Sequence, residues 1–183
     1  MRTSVTFALL ISSACLLLGG PNDWPQFRGP KASGVAEGFK VPISWNVETG
    51  ENVRWKTRIP GSAHSSPIVW GDRVYVQTAQ GPNYADLKVG LYGNIASVDE
   101  KDEQSWRLLA LDKATGKILW NKLVLKAVPR VKRHTKATHC NSTPATDGKY
   151  IVAFFGSEGL FCFDMNGKLL WNCLLYTSPS PRD

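Results

Sequence analysis

Downstream of Pro60 the chain alternates short apolar runs with short polar turns, and two of the runs break the in–out alternation of a half-buried strand. "YIVAFF" (Tyr150–Phe155) and "LFCF" (Leu160–Phe163) are apolar or aromatic throughout. Strands of that composition need cover on both faces of their sheet. Between runs stand steps that reverse a chain, Trp70-Gly71-Asp72 and Asp147-Gly148-Lys149. The pattern predicts two groups of four antiparallel strands. The first group is Pro67–Trp70, Arg73–Thr78, Arg107–Asp112 and Ile118–Leu123; the second is Thr143–Thr146, Tyr150–Phe155, Leu160–Asp164 and Leu169–Asn172.

The groups end on the same phrase, "LLALDKATGKILWN" (Leu108–Asn121) and "LFCFDMNGKLLWN" (Leu160–Asn172). Each element of it has a physical use. Asp112 and Asp164 close a strand, where a carboxylate accepts bonds from free turn amides. Gly116 and Gly167 supply the positive φ that turns the chain into the next strand. Trp120 and Trp171 then offer a broad apolar face and one N–H donor to a neighbouring unit. "NVRWKT" (Asn52–Thr57) repeats only this last strand, at Trp55. Small four-stranded sheets, each covered on both faces by its neighbours, are the blades of a β-propeller. The fold class expected is therefore all-β, a partial propeller of about two blades plus an N-terminal closing strand.

Two stretches exceed this plan. About 26 extra residues (Gln80–Ser105) separate the second and third strands of the first group, a length typical of loops that project to bind. A basic connector, "KLVLKAVPRVKRHTKATHCN" (Lys122–Asn141), joins the groups.

"ALDKATGKILW" resembles the tryptophan-docking motif Ala-x-Asp-x-x-Thr-Gly-x-x-x-Trp of PQQ-like β-propeller repeat proteins. That superfamily includes quinoprotein alcohol dehydrogenases and BamB-type outer-membrane assembly lipoproteins. The second copy departs from the motif: it is one residue shorter, with Asn166 before Gly167 and Cys162 and Phe163 before Asp164. "WPQFRGPKASGVAEG", "ENVRWKTRIPGSAHSSPIVWGDRVYV" and "RHTKATHCNSTPATDGKYIVAFFGSEGL" are similar to secreted members of the group, so the resemblance spans Trp24–Asn172. Cys140 stands where a small residue such as Ala is expected. The resemblance implies a closed ring of seven or eight blades, of which this chain is an N-terminal fragment. Two blades alone leave unpaired edges, so aggregation or partial unfolding is expected of it.

Candidate chemistry is sparse. A quinoprotein would need PQQ beside a Ca²⁺ on oxygen ligands, an Asp base and commonly a vicinal Cys pair. No Cys-Cys occurs, and the repeat Asp residues serve turns. His64, His134 and His139 match no short zinc spacing and read as rim histidines contacting backbone. His64 and His139 both precede a Ser-Ser/Thr-Pro strand start. The acidic cluster "SVDEKDEQ" (Asp99, Glu100, Asp102, Glu103) lacks the ligand spacing of an EF-hand and reads as a solvated loop tip. Tyr84, Tyr92 and Trp106 in the insertion could form a carbohydrate surface.

Charge and the chain ends complete the picture. The formal net charge of +7 invites an anionic partner. The run Lys122–Lys136 carries six Lys/Arg and no acid, but lacks interleaved aromatics and any nucleic-acid-binding motif. It reads as a solvated inter-blade loop or a rim facing anionic envelope components. Residues 1–20 carry Arg2, an apolar stretch and Gly19-Gly20, the layout of a secretory signal peptide; Cys15 lacks the surroundings of a lipidation site. Export permits disulfides, though spacing assigns none to Cys140, Cys162 or Cys173. "CLLYTSPSPRD" (Cys173–Asp183) resembles translated sequencing adaptor and is expected to be non-native. The divisions expected are 1–20 signal peptide, 21–60 N-terminal segment and closing strand, 61–123 blade with insertion 80–105, 124–172 connector and second blade, and 173–183 tail. The function expected is an exported, non-catalytic scaffold with a protein or envelope ligand as partner, no cofactor, no metal, no nucleic acid and no membrane-spanning helix in the mature chain. The alternatives are a PQQ/Ca-dependent oxidoreductase with its site in further blades, and a carbohydrate-binding propeller.

Overall fold

A computed structural model describes residues 20, 22–82, 87, 93 and 96–174. The expected signal peptide (apart from Gly20), nearly all of the expected tail, Cys15, Tyr84 and Tyr92 lie outside them. The strands are β1 (Ile68–Trp70), β2 (Arg73–Gln80), β3 (Ser97–Val98), β4 (Gln104–Asp112), β5 (Ile118–Ala127), β6 (Arg133–His134), β7 (Ala145–Thr146), β8 (Tyr150–Phe154), β9 (Leu160–Asp164) and β10 (Leu169–Cys173). Two antiparallel four-stranded meanders result, β1-β2-β4-β5 and β7-β8-β9-β10. Both expected groups are present. The first is longer than expected, because β2, β4 and β5 run on to Gln80, back to Gln104 and on to Ala127. The start of the basic connector is therefore strand, hydrogen-bonded to β4 as far as Ala127.

β4 shows why these runs lack alternation. Leu108 and Ala110 face one way, Leu109 and Leu111 the other, and all four are buried. On the first face the cross-strand row Ile68, Tyr75, Ala110, Trp120 packs with Ile151, Ala153, Phe161 and Phe163 of the second sheet. On the second, Val74, Leu109 and Leu111 are covered by Trp55 and Ile59. The first sheet is thus sandwiched, as blade packing requires. The segment holding Trp55 pairs into neither sheet; it lies against the first as side chains only. Trp24 bridges Val69, and Pro25 O accepts Thr146 N at 2.9 Å, so residues 24–25 stitch the two sheets together.

Strand order separates two ends of the molecule. The turns β1–β2, β4–β5, β7–β8 and β9–β10 lie at one end. The insertion between β2 and β4, the connector between β5 and β7, and the 3-10 turn Gly156–Glu158 lie at the other.

Candidate interaction face

The repeat residues Trp55, Asp112, Gly116, Trp120, Asp164, Gly167 and Trp171 concern the turn end and the packing of sheets. Asp112 Oδ1 accepts Thr115 N and Thr115 Oγ1, both at 2.7 Å. Asp164 Oδ1 accepts Asn166 N and Lys168 N at 2.9 Å. Those bonds hold both carboxyls below the usual aspartate range, led by the Thr115 hydroxyl at Asp112 and the Lys168 amide at Asp164. Gly116 and Gly167 have φ of 74° and 77°. The Trp55 ring rests on Gly116, where a Cβ would lie 2.5 Å from Cδ2 of the indole. Its Nε1 donates to Lys113 O at 2.9 Å, and Thr57 Oγ1 donates to Gly116 O at 2.7 Å. Trp120 occupies the matching place over Gly167 more loosely, at 3.2 Å from such a Cβ. The second, shorter turn is bonded differently. Arg73 Nη1 takes Met165 O at 2.5 Å, and the buried Trp120 Nε1 has no partner. Trp171, third in the series, is 48% exposed beside an open groove lined by Tyr150, Val152 and Cys162.

At the loop end the two expansions meet. β3 of the insertion pairs antiparallel with β6 of the connector, Ser97 opposite His134 and Val98 opposite Arg133. Thr135 N donates to Ala96 O at 3.2 Å. Beyond β3 the Glu100 carboxylate receives Arg133 Nε (3.0 and 3.1 Å), Arg133 Nη2 (2.8 Å) and His139 Nε2 (2.5 Å). Arg133 is only 7% exposed, an expensive place for a guanidinium unless paired and bonded as here. Burial raises the Glu100 carboxyl, but the bonds and charges of Arg133 and His139 outweigh it and leave the carboxyl below its ordinary value. Asp99 meets Lys132 at 3.4 Å and Glu103 meets Lys126 at 2.8 Å.

This corrects four sequence expectations, each in part. Asp99, Asp102 and Glu103 of the acidic cluster are exposed as a solvated loop requires, but Glu100 is an inward anchor. The basic run is not uniformly solvated, since Arg133 is buried and Lys126 lies on β5. Of the histidines, His134 contacts backbone as expected, its Nδ1 accepting Lys136 N at 3.0 Å, and His64 does so through its own N, which donates to Cys140 O at 2.9 Å; His139 instead contacts a carboxylate through its ring. Trp106 is removed from any sugar surface: it is fully buried, with Nε1 donating to His139 O at 3.0 Å. Pairing between segments so far apart in the chain leaves no local mark; opposite charge of the two expansions was the one available signal.

The other end of the connector is anchored too. Glu158 is 2% exposed and accepts Arg130 N at 3.0 Å and Ser157 Oγ at 2.9 Å. A groove of about 240 Å³ runs between residues 131–142 and the Phe155–Glu158 turn. Gln77, buried beneath, donates to Ser142 O and Phe154 O. Cys140 is buried and its thiol is pushed up to about 12 by desolvation, opposed by Gln77. Cys140, Cys162 and Cys173 are free thiols.

The side chains of the described residues do not form a PQQ–Ca²⁺ centre. Asp112 and Asp164 are committed to turn amides, Glu100 and Glu158 to Arg133 and Arg130, and no group of three or more His, Cys, Asp or Glu among the described residues could hold a metal ion. No helix among the described residues is long and apolar enough to cross a membrane. In comparison with known proteins, the family described as outer membrane protein assembly factor BamB matches residues 31–182. No curated protein matches the chain.

Proposed function

The chain belongs to the BamB family of PQQ-like repeat proteins, and from that premise we propose that it is an exported, non-catalytic β-propeller scaffold whose loop end binds another macromolecule of the cell envelope. One observation carries the reading. The repeated phrase is spent on packing at the turn end, while both expansions converge at the loop end into one anchored surface. A fixed surface built from long connections on a rigid sheet is how repeat proteins present binding sites. The donor set described above gives a quinone–calcium centre no support within these residues.

The test is a titration with PQQ and Ca²⁺, followed by quinone absorbance, together with reduction of an artificial electron acceptor on addition of alcohols. The scaffold reading expects neither saturable binding nor turnover. Stoichiometric PQQ binding with dye reduction would establish the oxidoreductase alternative. Export is tested separately, by fusing the first 25 residues to a reporter active only outside the cytoplasm; a silent reporter overturns that part.

A further inference from the structure

We propose that the basic connector is a docking strip for an extended acidic peptide segment, and that the chain's own Ser97–Glu103 occupies it as an internal stand-in. The proposal rests on the loop end being the binding face, and it names the class of partner.

The stand-in binds as an added strand. Two residues of β3 lengthen β6 by backbone pairing, which is strand addition in miniature. Three of its acids meet bases of the connector: Asp99 on Lys132 as well as on its own neighbour Lys101, Glu100 on Arg133 and His139, and Glu103 on Lys126. The receptor side is held by contacts that do not involve the acidic segment. Arg133 Nη1 donates to Ala137 O at 3.0 Å. Thr138 Oγ1 and N donate to Asn141 Oδ1, and Asn141 Nδ2 donates back to Thr138 O at 2.8 Å. His139 is fixed by Trp106, which bonds its carbonyl and packs edge-on to its ring at 6.2 Å. Glu158 pins Arg130 at the far end. A rigid, Arg-centred site that reads a carboxylate in a bidentate fork, beside a pairing strand, suits an acidic peptide in extended form. The groove of about 240 Å³ continues along the strip and gives a longer partner room beyond the stand-in.

A tethered stand-in competes at an effective concentration of order millimolar, so the strip is revealed by weakening the tethered acids. A fluorescein-labelled peptide with the sequence of Ser97–Gln104 is titrated by anisotropy against the full chain and against Asp99→Asn/Glu100→Gln/Glu103→Gln. A control peptide carries Asn and Gln in place of its acids. The neutralised chain is expected to bind the acidic peptide at least about tenfold tighter than the parent, and to lose that gain on adding Arg133→Gln. Equal binding by parent and neutralised chain, equal binding of the control peptide, or indifference to Arg133→Gln overturns the proposal. Should circular dichroism show the triple variant unfolded, Asp99→Asn/Glu103→Gln keeps the buried Glu100 and is expected to gain about threefold; no gain there overturns it as well. PQQ turnover would sink the scaffold reading and leave the peptide result standing, whereas failure of the peptide assay removes the strip alone.

Discussion

Replacing Gly116 by Ala tests whether the Trp55 contact holds the N-terminal segment on the first sheet. Two costs combine. At φ 74° an L-residue is strained, at about 1–2 kcal/mol. The new Cβ would also lie 2.5 Å from the indole and 2.7 Å from Thr57 Oγ1, so the ring must lift. Lifting breaks the Trp55–Lys113 bond, worth about 1 kcal/mol net. It also re-exposes part of the ring's apolar contact, about 2 kcal/mol if some 80 Å² is lost at about 25 cal/mol per Å². The expected total is about 4–5 kcal/mol. Gly71→Ala is the control: its φ is 57° but a Cβ there meets nothing within 4 Å, so the strain appears alone, about 1–2 kcal/mol. Urea unfolding followed by circular dichroism should place the Gly116→Ala midpoint below that of Gly71→Ala by an amount equal to about 3 kcal/mol. In a Trp55→Ala background the gap between the two substitutions should shrink to what the remaining contact with Thr57 Oγ1 costs, because the clash with the indole is gone. If Gly116→Ala costs no more than Gly71→Ala in the parent chain, the ring is not seated on this turn and the packing described for the N-terminal segment is wrong.

Three further outcomes follow from particular contacts. Trp55→Phe should destabilise by about 1 kcal/mol more than Trp120→Phe in the same urea assay, since only Trp55 donates its N–H to a carbonyl; equal losses would contradict the bonding assigned to the two indoles. Of Cys140, Cys162 and Cys173, only the exposed Cys173 should react with a thiol-specific disulfide reagent in the folded chain, because Cys140 is buried with its thiol pushed up to about 12. A fast phase that survives Cys173→Ser would refute this. The folded Glu100 carboxyl lies below its ordinary value of 4.5, so its contribution is fully present above that pH and is lost as pH falls through the lower folded value. The stability difference between the parent chain and Glu100→Gln should therefore be flat at neutral pH and shrink in acid, and a difference growing as pH falls would reverse the assignment.

Much of the fold was legible because the deciding signals are local. An Asp closing a strand, a Gly needing positive φ and a Trp four residues further on declare a turn and a docking strand whatever lies elsewhere, and Asp112, Gly116 and Asp164, Gly167 behave accordingly. Runs apolar at every position required sheets covered on both faces, and Leu108–Leu111 are so covered. The loop end was harder because its chemistry is decided by register. Glu100 and Asp102 are two residues apart with the same charge, yet Glu100 turns onto Arg133 while Asp102 stays exposed. Nothing in their composition separates them; the pairing of Ser97 with His134 does. Reading the acidic and basic runs one at a time made each look like a solvated surface. Two long connections that leave a pair of antiparallel meanders at the same end, carrying opposite charge, are better read together. Each lowers the cost of holding the other in place, and a carboxylate–guanidinium pair that would contribute little on an open surface acts as an anchor once the backbone pairing beside it excludes water. The same pairing is why this face, and not the repeated phrase, is where recognition by the chain should be sought.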